Sequence, residues 1–142
     1  MVFTSSLPDA LIQAYRETHF KVTGPLGFTM VVDHHSPSLE IVHGRHGAQS
    51  SAFITACNPL GVELTVDEND TRQRRLAADL EQRGLSFYDG VGQHPTDDWP
   101  GEASFLIIGL DLDEAKDLAA QLEQNALVWA GQDAIPRLIL LR

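Results

Sequence analysis

The chain has a single cysteine, Cys57, so it can form no internal disulfide and carries no redox pair of thiols. It is also poor in positive charge, with ten Lys and Arg against twenty Asp and Glu, a formal net charge of −10. Phosphate backbones and anionic bilayers are bound by clustered cations, so neither nucleic acid nor membrane is expected as a partner. Long apolar runs are missing, and none approaches the roughly 20 residues of a bilayer span. The opening MVFTSSLPDA has no basic segment leading into an apolar one. A cytoplasmic location is the expectation. There is no dinucleotide fingerprint either: Gly90-Val91-Gly92 lacks its third glycine, Pro95 stands in that place, and no helix follows. No cofactor is expected.

The 142 residues, 43% hydrophobic and 21% charged, suit one globular domain over residues 1–142 with a buried core. The pattern is centred on Ser51 to Gly84. Ala52 to Ala56 is a short apolar run with aromatic and β-branched members, which reads as a buried strand. Pro59 lacks a backbone donor and keeps Asn58 out of helical dihedrals, so the chain leaves the sheet there. Thr65 and Glu68 fit a capping box, and Asp67, Glu68 and Asp70 set negative charge at the positive end of the helix that follows. That charge disfavours phosphate at the same helix end. The inward stripe steps through Asn69, Gln73, Leu76 and Leu80, with Gly84 as the stop.

Elsewhere, Pro8-Asp9 opens a helix that ends near Thr18, and His19–Val22 and Phe28–Val32 flank a turn. Ser36-Pro37 starts a short helix, with a strand as the competing assignment because of Ile41-Val42. Leu85–Tyr88 reads as a strand, followed by a long loop from Asp89 to Glu102. Ser104–Leu110 is a strand buried on both faces. A helix capped by Asp111 or Asp113 ends near Gln124-Asn125, with Asn suited to the left-handed position. Strands at Ala126–Trp129 and Leu138–Leu141 complete an α+β domain. Its expected sheet is mixed, covered by about four helices and centred on the strands at Ala52 and Phe105.

Five ordered motifs carry a resemblance: ITACNP from Ile54, ENDTRQRRL from Glu68, GVGQHPTDDWPGEASFLIIGL from Gly90, QNALVWAG from Gln124 and DAIPRLILLR from Asp133. Together they resemble the bacterial family of domain of unknown function 3293. The resemblance implies a small single domain and brings no activity. It marks Asn58, Pro59, Asn69, Arg72, Trp99, Ser104, Gln124, Asn125 and Trp129. The chain departs from the pattern at Cys57, where an aromatic is expected, and at Gly101, which separates Pro100 from Glu102.

The candidate site gathers Asn58, Asn69, Arg72, Trp99, Gln124 and Asn125 as ligand-binding residues, with Glu102 as general base. Amides both donate and accept, and the Arg fork suits a carboxylate or phosphate, so a small polar or anionic metabolite is the expected ligand. The bland alternative has Asn58 closing a turn, Asn125 capping a helix and Arg72 pairing with a neighbouring carboxylate. Trp99 reads equally as a lid or a core plug. Cys57 is a nucleophile only if something lowers its pKa, and otherwise packs as a small apolar residue. His34, His35, His43 and His46 match no zinc spacing, so no metal is expected. The competing function is a non-catalytic interaction module that meets a basic protein partner through its acidic surface, or forms a homodimer through a sheet edge.

Overall fold

Local signals set most element boundaries in the computed structural model, which describes residues 5–96 and 101–142. Helix α1 spans Asp9–Glu17, and strands β1 (His19–Val22) and β2 (Phe28–Met30) form a hairpin closed by a 3₁₀ turn at Gly24–Leu26. Pro37–His46 forms helix α2 rather than a strand, because the Ser36 hydroxyl accepts the Leu39 amide at 3.2 Å and Gly47 supplies the left-handed stop. Strand β3 (Ser51–Ile54) leads to helix α3 (Val66–Gln82), which starts on a reciprocal capping box between Thr65 and Glu68. Strands β4 (Phe87–Gln93) and β5 (Glu102–Ile108) precede helix α4 (Leu112–Gln121), started by a second box between Asp111 and Glu114. Strands β6 (Ala126–Ala130) and β7 (Arg137–Leu140) end the sheet. No helix among the described residues is long and apolar enough to cross a membrane.

The seven strands lie in the order β2-β1-β4-β5-β3-β6-β7, and every pairing is antiparallel. The architecture is α+β as expected, but the sheet is not mixed. Each helical crossover, β3-α3-β4 and β5-α4-β6, joins two strands that run the same way, yet a strand of opposite direction lies between them. The two units interleave as split βαβ motifs. Sequence pattern displays a crossover helix; it does not display the strand inserted between the crossover's ends.

Strand alternation divides the core. One face, carrying Ala52, Ile54, Phe105, Ile107 and Leu127, packs on Leu76 and Leu80 of α3 and on Ala115, Leu118 and Ala119 of α4. The other carries Phe20, Val22, Phe53, Leu106, Ile108 and Val128, and α2 covers part of it with Leu39 and Val42. Beyond α2, α1 stands over the same face across a cavity.

Beyond shifts of one or two residues at strand ends, two assignments differ from the sequence reading. The strand expected to stop at Tyr88 runs on through Gly90 and Gly92, paired to both β1 and β5. A Cβ at Gly90 would lie 2.6 Å from Phe53 Cε2 and 2.8 Å from the Lys21 carbonyl oxygen, so glycine here permits a close approach rather than marking a loop. After α4 the left-handed residue is Glu123, at φ 58°, not Asn125.

Candidate functional site

The exit of β3 is held by side chains of α3 and of the turn that follows α4. The Ala56 amide donates to Gln73 Oε1 at 2.7 Å, and Arg72 Nε donates to the Ala56 carbonyl at 2.5 Å. Arg72 Nη2 reaches the Leu122 carbonyl at 2.8 Å, while Gln124 Nε2 donates to the Cys57 carbonyl at 3.0 Å. Arg72 thus ties the end of β3 to the end of α4. Arg72→Ala is expected to lower stability by about 1–2 kcal/mol, because two half-buried carbonyls lose a charged donor. Chemical denaturation measures that loss, and an unchanged midpoint would remove this role.

Past that tie, Asn58 adopts the left-handed conformation at φ 48°, which asparagine tolerates well. Its Oδ1 accepts the Leu64 amide and Asn69 Nδ2, each at 2.9 Å, and its Nδ2 donates to Glu102 Oε2 at 2.9 Å. A backbone N–H can only donate, so the Leu64 amide settles which end of the Asn58 amide is oxygen. The backbone N–H of Asn58 in turn donates to Asn69 Oδ1 at 2.9 Å, which orients the Asn69 side-chain amide. Leu60 and Glu123 are also left-handed, at φ 57° and 58°, and the Leu60 amide donates to the Glu123 carbonyl at 2.7 Å. For Leu60 that conformation costs about 1 kcal/mol or more.

This network forms one rim of a cavity of about 350 Å³ between α1 and the sheet. Its apolar wall includes Leu11 and Ala14 of α1, Phe20 and Phe53 of the sheet, and Val128 and Leu138. Its polar wall carries Tyr15, Thr55, Asn58, Glu102, Ser104, Gln124 and Asn125. Of the residues expected at a site, Asn58, Glu102, Gln124 and Asn125 therefore meet around one space. Asn69 and Arg72 do not line it: Asn69 supports Asn58 from behind, and Arg72 is engaged with carbonyls. Trp99 lies outside the described residues. The added Gly101 leaves Glu102 as the first residue of β5, paired with Gly92.

Sequence reasoning passed over Tyr15, which lines the same space as Asn125. The available signal was its place on the apolar stripe of α1 beside Leu11 and Ala14. Burial pushes the Tyr15 phenol up, partly offset by the neighbouring Asn125 side chain. Burial also pushes the Glu102 carboxyl up, partly offset by the Asn58 donor. A carboxyl raised in the folded state binds its proton more tightly there than in the unfolded chain. Its stabilising contribution is therefore complete below the ordinary carboxyl range and is lost as pH climbs through the raised value.

The histidines do not converge. His43 Nε2 lies 2.8 Å from Ser51 Oγ in the core, His46 Nε2 lies 2.6 Å from Tyr88 Oη, and His35 sits 3.8 Å from Glu40. Among the described residues no three His, Cys, Asp or Glu side chains are placed to hold a metal ion. Cys57 is buried with its thiol pushed up by burial, which favours packing over nucleophilic chemistry.

The family described as protein of unknown function (DUF3293) matches the chain over residues 54–127, from the end of β3 to the start of β6. No curated protein and no solved structure matches the chain. The matched segment contains the Asn58–Glu102 rim and Gln124-Asn125; α1 with Tyr15 and the strands carrying Phe20 and Leu138 fall outside it.

Proposed function

The chain belongs to the DUF3293 family of proteins of unknown function, and from that premise we propose that it binds one small amphipathic molecule in the cavity beneath α1. The observation that carries this reading is the state of α1. It is strongly amphipathic, yet none of its residues is buried, and Leu11, Ala14 and Tyr15 face a cavity of about 350 Å³ instead of packed side chains. Apolar helix faces normally pack against a core at near-crystalline density. A ligand in this space would complete the packing beneath α1, and cavities of roughly 300–1,000 Å³ with an apolar wall and a few convergent polar groups are typical small-molecule sites.

The polar rim supports the same reading. Asn58 and Asn69 hold one another in fixed orientations, so the groups that would meet a ligand, Glu102, Tyr15 and Asn125, need little reorganisation on binding. The proposed site borders the corner at Asn58, on its α1 side rather than around Arg72.

Filling the space tests the proposal. The wild-type protein is expected to bind six-carbon amphiphiles by calorimetry, and Ala14→Trp is expected to remove that binding while raising the unfolding midpoint slightly. Undiminished binding in this variant would place the ligand elsewhere.

A further inference from the structure

We propose that the ligand of this cavity carries a protonated amine, which pairs with Glu102 while its apolar portion lies against Phe20 and Phe53. The inference rests on the cavity reading above and adds the charge of the occupant.

Three features carry it. Glu102 stands at the polar end of the cavity with one oxygen committed: Oε2 accepts from Asn58 Nδ2 at 2.9 Å, and among the described residues no donor reaches Oε1. The Asn58 amide cannot rotate to offer its oxygen instead, because that oxygen already accepts from the Leu64 amide and Asn69 Nδ2. The network is thus built to present a donor to an acceptor, and the acceptor it holds is a carboxylate on the cavity lining. A half-buried carboxylate costs free energy unless a positive group or further donors compensate it.

The second feature is the charge around it. No Lys or Arg lines the cavity among the described residues, and the other carboxylate on its lining, Glu63, has the same sign as Glu102. His94 is the lining group able to become cationic, and its Nε2 lies 2.9 Å from Glu17 Oε2, so it is already paired. The two lining carboxylates and the net charge of −10 favour a cation over an anion. Third, the polar groups opposite, Tyr15 and Asn125, are uncharged, and Asn125 Oδ1 already accepts from Arg142 Nη1 at 3.2 Å. That leaves the Glu102 carboxylate as the dominant anchor. An ammonium group offers three donors and a full charge to Oε1, whereas a carboxylate or phosphate would meet like charge.

The test compares hexylamine, 1-hexanol and hexanoate on the full chain near neutral pH by calorimetry and thermal shift. The expected order is hexylamine tightest, hexanol weaker, hexanoate weakest. In Glu102→Gln, hexylamine is expected to bind about tenfold weaker, since a half-buried charge partner is lost, with hexanol little changed. Hexanoate binding as well as hexylamine, or a Glu102→Gln variant that keeps full amine affinity, would overturn the amine assignment and leave the cavity reading standing. Failure of all three to bind would overturn both. Should Glu102→Gln not fold, the wild-type order of affinities still decides the assignment.

Discussion

Asn58→Asp is expected to destabilise the fold by about 3 kcal/mol at pH 7, and by much less near pH 5, although it changes one amide into a carboxylate of nearly identical shape. Aspartate keeps the tolerance for the left-handed backbone and keeps an acceptor for the Leu64 amide and for Asn69 Nδ2. What it loses is the donor aimed at Glu102 Oε2, 2.9 Å away. Two carboxylates at that separation cannot both ionise, so one must hold a proton. Keeping a carboxyl of ordinary pKa near 4 protonated at pH 7 costs about 4 kcal/mol, which sets the ceiling, and the hydrogen bond made by the shared proton returns part of it. The sign follows from the raised folded-state pKa: the folded variant binds a proton the unfolded chain does not, so stability falls as pH rises, by up to about 1.4 kcal/mol per unit. Denaturation midpoints of the variant and wild type from pH 4.5 to 8 measure the divergence. Parallel curves would mean that Asn58 and Glu102 do not meet in solution.

The second large effect is expected at Gly90. A Cβ there would enter the Phe53 ring, 2.6 Å from Cε2, and would lie 2.8 Å from the Lys21 carbonyl of the paired strand. A ring can swing aside; a strand backbone held in the sheet cannot, so part of the clash remains after any rearrangement. Gly90→Ala is expected to cost about 3 kcal/mol, at the upper end for overpacking, and to lower the unfolding midpoint by roughly 10 °C. Phe53 also forms part of the cavity wall, so the same variant is expected to weaken amphiphile binding. Adding Phe53→Leu should recover stability relative to the sum of the two single changes, because the ring contact is removed while the backbone contact stays. Strict additivity would show that the ring is not the obstacle.

These two sites illustrate what sequence pattern reveals and what it conceals. The Thr65/Glu68 box and the Ser36-Pro37 start were legible because each helix signal lies within three or four residues of the groups it satisfies. The exit at Asn58-Pro59 was legible because proline acts on its immediate neighbour. Gly90 was not. Its meaning depends on Phe53 and Lys21 from other strands, and taken alone a glycine among Asp, Gly and Pro reads as loop. Arg72 was assigned to a ligand on its chemistry, a planar cation near a polar corner; only the folded chain brings the Leu122 carbonyl within its reach. Tyr15 lies on the apolar face of α1, but periodicity cannot distinguish a face that packs from one that borders a cavity.

The sequence by itself determined the elements, the α+β class, the acidic character and the corner at Asn58, because periodicity, caps, turn chemistry and charge act locally or through composition. Tertiary structure decided the antiparallel order of the sheet, the removal of Arg72 and Asn69 from the cavity lining, and the meeting of Asn58 with Glu102. Those outcomes depend on contacts between residues far apart in the chain, as with the 44 positions that separate Asn58 from Glu102. Such pairings are selected by the packing of the whole sheet and its helices, and no local pattern records them.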